Sequence, residues 1–304
     1  MAIAAVGQIC STGSIAANLN QCVRLVAKAA VGGAQVLFLP EASDYIAANA
    51  QASLDLAAPQ ASSPFVQGLR AAAKAHSIAV HVGIHDTAAG QDQDREQDRD
   101  QDQDQAAGQP ARRILNRALY IDADGTVQDA ATYDKLHVFD YGTLRESATV
   151  QPGARLTAPF DSPVGRIGSL ICFDLRFAET ALALAQPGRS SPWAGRPAQI
   201  ITYPSAFTLR TGEAHWEALL RARAIETQSY VVAAAQVGRH NERRASYGRS
   251  MVVDPWGRVL VCLGGVADAD GNAEDGAVGE IGLVDIDLDE LERVRREMPL
   301  QRRT

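Results

Sequence analysis

Arg166-Ile167-Gly168-Ser169-Leu170-Ile171 is a mostly apolar run, too short for a helix and preceded by Pro163 and Gly165, and it predicts a buried strand. The strand delivers Cys172 at its C-terminal end. A polar turn follows, Phe173-Asp174-Leu175-Arg176, and then a helical stretch from Phe177 to about Gln186. A thiol on a strand-to-helix turn lies beside helix N–H groups, which favour the thiolate, so the turn predicts a presented nucleophile. Taken alone, such a cysteine reads more readily as a buried and inert side chain.

Outward from this point, strands and helices alternate. Residues 3–10 read as a strand. Residues 15–30 carry Ile15, Leu19, Cys22, Val23, Val26 and Ala30 at helical spacing, closed by Gly32-Gly33. Val36 to Leu39 is a buried strand, Ser63-Pro64 opens a helix to about His76, and residues 78–85 form a strand. Arg117 to Ile121, Ile200 to Tyr203, Tyr230 to Val237 and Glu280 to Asp287 read as further strands, with a helix over Gly212 to about Thr227. Pro255-Trp256-Gly257 marks a hairpin between Arg249–Asp254 and Val259–Leu263, and the tail 288–304 reads as helical, then frayed. The alternation predicts an α/β fold with helices over sheet faces.

Two insertions interrupt it. Residues 88–110 include Gln91 to Gln105, which holds six Asp, one Glu, two Arg and no apolar side chain, and predicts a disordered loop. Residues 187–198, rich in Pro and Gly around Trp193, predict a surface loop. The alternation continues past both, so the chain reads as one domain over 1–304. The net charge is −7, of which 91–105 carries −5; no basic field remains for nucleic acid or a membrane surface. No apolar run approaches a bilayer span, and Met1 to Cys10 has no basic leader, so neither a membrane anchor nor a targeting peptide is expected. Cys10, Cys22, Cys172 and Cys262 show no paired spacing, which argues against disulfides or a zinc site and predicts a reducing, cytoplasmic setting.

Two more strand ends carry reactive groups. In Leu39-Pro40-Glu41 a carboxylate follows a buried strand, where desolvation would raise its pKa and suit it to act as a base near neutral pH. In Tyr133 to Asp140, Lys135 lies among apolar and aromatic residues, a costly place for an unpaired cation. Beside a carboxylate and a thiol it could stabilise a negative intermediate; alternatively its stem packs and its head reaches solvent. His137 reads as a packed, satisfied histidine rather than a base. The six histidines form no HxHxH, so no fused nucleotide-binding module of that kind is expected.

Glu41, Lys135 and Cys172, in the blocks FLPEASDYI (38–46), YDKLHVFDY (133–141) and SLICFDLRF (169–177), resemble the Glu–Lys–Cys triad of the nitrilase, or carbon–nitrogen hydrolase, superfamily. The resemblance runs from Ala4 to about Arg303 outside the insertions, and the stretch 211–257 is similar to the branch that hydrolyses deaminated glutathione. It implies a four-layer αββα sandwich that forms a homodimer or larger homo-oligomer, needs no metal or other cofactor, and acts on a small amide with an α-keto acid end. It implies Cys172 as nucleophile, Glu41 as base and later acid, Lys135 as oxyanion stabiliser, and Glu146 as a second glutamate positioning the lysine and substrate. It further implies the Phe173 N–H in the oxyanion hole, and Arg176, Phe207 and Thr211 around the acyl group. The alternatives are an ω-amidase acting on α-ketoglutaramate and a scaffold of the same fold without chemistry.

Overall fold

The computed structural model describes residues 2–87, 113–142 and 144–300. The first part of the chain runs β1 (Ile3–Gly7), α1 (Ile15–Val31), β2 (Val36–Phe38), α2 (Ala50–Leu56), α3 (Pro64–His76), β3 (Ala79–Thr87), β4 (Ile114–Ile121) and β5 (Tyr133–Asp134). A small hairpin of β6 (Asp140–Tyr141) and β7 (Leu144–Arg145) follows. The second part runs β8 (Phe160–Ser162), β9 (Gly165–Ser169), α4 (Ala178–Ala185), β10 (Ile200–Thr202), α5 (Leu209–Thr227) and β11 (Tyr230–Ala233). Then come the hairpin β12 (Val237–Arg239) and β13 (Ala245–Tyr247), β14 (Met251–Val253), β15 (Val259–Cys262), β16 (Ile281–Asp285) and α6 (Leu288–Glu297).

The long strands build two six-stranded sheets, in the orders β16-β1-β2-β3-β4-β5 and β15-β14-β11-β10-β9-β8. Each has a parallel centre, β1–β2–β3 in one and β9–β10–β11 in the other, with antiparallel strands outside. Parallel neighbours need crossovers, supplied by α1 and by α2 with α3 in the first sheet and by α4 and α5 in the second.

Side-chain alternation divides the core into layers. Ala4, Val6, Val36 and Phe38 face Ile167, Ile200, Tyr230 and Val232 between the sheets. The intervening residues Ala5 and Leu37 turn outward onto Leu25 and Val26 of α1 and Phe65 and Leu69 of α3. On the far side Ile201, Val231 and Ala233 meet Leu184 of α4 and Trp216 and Leu220 of α5. Strands apolar on both faces must be covered on both, and the result is the four-layer αββα sandwich that the family resemblance implies. Each fully buried Leu or Phe contributes roughly 1.5–3 kcal/mol to holding these layers together.

One polar contact pins the sheets. His81 on β3 is buried, and its Nε2 lies 2.9 Å from Ser169 Oγ on β9 and 3.4 Å from Thr202 Oγ1 on β10. Burial holds the imidazole pKa down to about 3, so the pin is neutral.

Several boundaries differ from the expectations. The strand expected over 230–237 ends at Ala233, because Ala235 and Gln236 bridge instead to Ser205 and Ile9. The helix after β10 starts at Leu209, capped by Thr208, rather than at Gly212. The short helix α2, capped by Asn49, was not anticipated. Ser63 does cap α3, with Pro64 in its first turn. Residues 187–198 form turns at the surface, anchored where Trp193 Nε1 donates to the Ala183 carbonyl at 2.8 Å. The loop expected over 88–110 lies outside the described residues.

Candidate active site

Strand β9 ends at Ser169, and two more buried residues, Leu170 and Ile171, carry the chain to Cys172. There the backbone turns left-handed, with φ at 46°. A non-glycine residue in that region is strained and persists where its surroundings hold it. The Cys172 amide donates to the Pro204 carbonyl at 3.0 Å, beyond the end of β10, and so ties the turn to the neighbouring strand. Residues 172–176 form a 3-10 turn, and α4 begins only at Ala178.

Glu41 stands at the matching place in the other sheet, three residues past the end of β2. Ala42 after it is also left-handed, with φ at 54°. The fully buried Gln236 secures this bend by donating to the Glu41 carbonyl at 2.9 Å and the Ala42 carbonyl at 3.3 Å. Gly83 of β3 packs beneath it: a Cβ on Gly83 would come within 2.5 Å of the Glu41 Cα. Glycine is needed here for close approach, not for an unusual turn.

Lys135 follows β5 and is only 2% exposed. Its Nζ donates to Glu41 Oε1 at 2.8 Å and to both carboxylate oxygens of Glu146 at 2.9 Å. The Phe139 amide donates to Glu146 Oε2 at 2.6 Å. Asn116, in the middle of β4, donates its Nδ2 to Glu41 Oε1 at 2.6 Å and to Glu146 Oε1 at 3.0 Å. Two carboxylates, one ammonium and one amide therefore form a closed network on the edge of the first sheet, facing the thiol from the second.

The protonation states follow from this network. Burial pushes the Glu41 carboxyl up, but the Lys135 charge and hydrogen bonds from Lys135, Cys172 and Asn116 outweigh it, leaving the pKa below the ordinary glutamate value. This is opposite to the rise expected from desolvation alone. Burial pushes the Cys172 thiol up, and the Glu41 charge adds to it; Lys135 and the Ala206 backbone amide oppose them without reversing the shift. The thiol is thus neutral at rest, whereas helix N–H groups were expected to favour the thiolate; burial and then the neighbouring carboxylate explain the difference. Burial alone would lower the Lys135 pKa, but the carboxylates of Glu146 and Glu41 carry it well above the usual value. The resting set is carboxylate, ammonium and thiol.

Aromatic side chains wall the approach. Phe139 lies 5.0 Å from Phe173, and Phe173 lies 5.6 Å from Phe177, both edge to face. The Arg176 guanidinium sits 5.8 Å from the Phe173 ring and 5.9 Å from the Phe207 ring, and its Nη2 is 3.0 Å from His215 Nδ1. Phe207 is buried against Trp216, with ring centres 4.8 Å apart. Phe173, Arg176 and Phe207 therefore come together. Thr211 is engaged elsewhere: its hydroxyl lies 2.9 Å from that of Thr208, the cap of α5.

Two residues of the network were missed from the sequence. Asn116 is the only side chain touching both carboxylates apart from Lys135 among the described residues; its signal was an amide on a strand, Ile114–Ile121, that is otherwise apolar except for Arg117. Asp174, fully buried, accepts from the Tyr133 hydroxyl, the His137 amide and the Ile171 amide. His137 also places its Nδ1 2.7 Å from Asp174 and stacks on Phe177 at 3.6 Å, the packed histidine that was expected. Among the described residues no group of three His, Cys, Asp or Glu side chains could hold a metal ion, and no helix is long and apolar enough to cross a membrane.

The model of the carbon–nitrogen hydrolase family matches residues 3–296. The chain belongs to that family. Its membership makes the protein a hydrolase of carbon–nitrogen bonds. Among its relatives is "Probable hydrolase nit2" of Schizosaccharomyces pombe, 40% identical over 309 residues, covering 100% of this chain and 98% of that protein. Deaminated glutathione amidase of Homo sapiens is 40% identical, with 98% of this chain and 80% of the human protein covered. In three dimensions the carbon–nitrogen hydrolase fold superposes on the C. elegans NitFhit protein with a TM-score of 0.80 and 35% identity, over 98% of this chain and 65% of that one.

Proposed function

We propose that this protein is an amidohydrolase that cleaves deaminated glutathione to α-ketoglutarate and cysteinylglycine through a thioester on Cys172. The observation that carries the proposal is the meeting of Glu41, Lys135 and Glu146 in one buried network opposite Cys172. The 40% identity to deaminated glutathione amidases over nearly the whole chain supports the substrate.

In the first half-reaction Glu41 takes the thiol proton as Sγ attacks the amide carbonyl. A C–S bond forms and the carbonyl π pair moves onto oxygen. With the carboxylate pKa low and the thiol pKa high, this transfer is uphill in the free enzyme and proceeds with the attack, as the negative charge passes to the substrate oxygen. Lys135 and the Phe173 amide hold that oxyanion; a single such donor is typically worth about 3–4 kcal/mol of barrier. Glu41 then returns the proton to the leaving nitrogen, the C–N bond breaks and cysteinylglycine departs. In the second half Glu41 takes a proton from water, hydroxide adds to the thioester, the C–S bond breaks and the sulfur is reprotonated. Glu146 keeps Lys135 aimed. Arg176, stacked between Phe173 and Phe207, receives the acyl carboxylate, for which a planar fork suits better than an ammonium.

The protein acts in this reading as a cytoplasmic homodimer, on a small molecule and without a cofactor. Steady-state kinetics on deaminated glutathione and α-ketoglutaramate test the substrate: the expected outcome is higher kcat/KM for the former, and the reverse order makes the protein an ω-amidase. Cys172→Ala should abolish turnover on both with the fold unchanged by circular dichroism; retained turnover rules out the thioester route.

A further inference from the structure

A cavity of about 390 Å³ opens between three loops beside the aromatic wall: the hairpin bearing Leu144, the start of α5 at Thr208 to Arg210, and the connection from β12 to β13. Its lining is cationic, with Arg210, Arg239, Arg243 and Arg244 facing only two carboxylate residues, Glu242 and Asp270. Among the described residues none of the four guanidinium groups forms an ion pair. Arg210 donates to the Tyr141 hydroxyl at 3.3 Å, and Arg239 donates to the backbone carbonyl of Asp270 at 2.9 Å. Four arginines against two carboxylate residues leave the lining with an excess of positive charge, which suits an anion, and a guanidinium fork matches a carboxylate.

The loops that line the cavity are tied to residues of the candidate active site. Thr208 follows Phe207 directly and caps the turn that holds Thr211. The Tyr247 amide at the end of β13 donates to the Phe207 carbonyl at 3.0 Å. The Tyr141 ring, which Arg210 touches, lies 6.0 Å from Phe139, the residue whose amide holds Glu146. The loops that bound the cavity are thus the loops that place the substrate wall and the second glutamate. Arg176, which would take the carboxylate of the acyl part, does not line the cavity.

We infer that this cavity binds a carboxylate carried by the leaving amine, so that the enzyme holds one anionic group on each side of the amide it cleaves. The inference rests on the amidohydrolase reading above and deepens it, by giving the carboxylate of the peptide leaving group a binding place of its own.

The experiment compares wild type with R243A/R244A on two compounds: deaminated glutathione, and the same molecule with its terminal glycine carboxylate converted to a carboxamide. Both replaced arginines project from a surface loop, and circular dichroism checks the fold. The wild type should favour the carboxylate compound by about tenfold or more in kcat/KM, mainly through KM, as expected for losing charge-assisted bonds. In the double variant that preference should fall to within about twofold. Equal wild-type kcat/KM on the two compounds, or an undiminished preference in R243A/R244A, overturns the subsite while turnover of both keeps the amidase reading standing. Turnover of neither compound by the wild type overturns both.

Discussion

Tyr133 donates its hydroxyl to Asp174 at 2.7 Å in a buried contact that joins the segment bearing Lys135 to the turn bearing Cys172. The same carboxylate accepts from the Ile171 and His137 amides, each at 3.0 Å. Removing it strands several buried donors, each costing about 1–3 kcal/mol. Asp174→Ala should therefore lose roughly 3 kcal/mol or more in urea denaturation. A change below about 1 kcal/mol would show that the two segments hold their places without it.

Glu146 is surrounded by donors. Oε1 accepts from Lys135 and Asn116, and Oε2 accepts from Lys135 and the Phe139 amide. In Glu146→Gln one of these oxygens becomes an NH2 facing two donors, and the network must open. Lys135 keeps its charge and its bond to Glu41 but loses its second anchor. We expect kcat to fall by about 10²-fold, the usual scale for disturbing an oxyanion donor, with little loss of stability. Unchanged kcat in Glu146→Gln would remove Glu146 from the mechanism.

The raised Cys172 pKa makes a statement about alkaline stability. An unfolded thiol ionises around its ordinary value of 9.0, whereas the native one stays protonated there. The stabilising contribution is therefore complete below pH 9 and declines as pH rises toward the native pKa. The slope approaches about 1.4 kcal/mol per pH unit. Lys135, raised by its carboxylates, adds loss of the same sign at higher pH. Glu41, lowered, contributes stability present above the ordinary glutamate pKa and lost as pH falls through its native value. Denaturation of wild type and Cys172→Ala at pH 8 and pH 10 should show the wild type losing about 1.4 kcal/mol more. Parallel losses would mean that the native thiol ionises as readily as the unfolded one.

Gly83 is the floor on which Glu41 rests. A methyl group there would press on the Glu41 Cα at 2.5 Å and the Pro40 carbonyl at 3.0 Å, both backbone atoms that cannot swing aside. Gly83→Ala should move the carboxylate by a few tenths of an ångström or more and reduce kcat by about 10- to 100-fold. Activity within twofold of wild type would show that the bend at residues 40–42 is free to shift.

For the proposed homodimer, the exposed apolar side chains Ile225, Trp256, Val259 and Leu260 form the candidate contact around the turn at Gly257, which packs on Ile225. Trp256→Glu should convert a dimer into a monomer in light scattering after gel filtration. A mass unchanged by the substitution would place the contact elsewhere.

The parts of this molecule legible in its sequence are those where one local rule decides. Buried apolar runs marked the strands before Glu41 and Cys172, Ser63-Pro64 marked the start of α3, and βαβ alternation marked the α/β class, while the sandwich came through the family resemblance. What escaped depends on contacts between distant segments. Asn116 went unnoticed just before the strand read at Arg117, because its partners Glu41 and Glu146 lie 75 and 30 positions away. Glu146 carried no local signal and was reached through resemblance alone. The pKa of Glu41 was expected on the wrong side of its ordinary value, since desolvation can be read from neighbouring residues but a lysine at 2.8 Å cannot.

The imidazole of His81, wedged neutral between Ser169 and Thr202, sets how far apart two plates stand, and the plates bear complementary reagents: acid and ammonium on one, sulfur on the other. Heat that widens this gap by a fraction of an ångström separates the reagents while both plates are still intact. Loss of turnover is therefore expected at a lower temperature than loss of the fold.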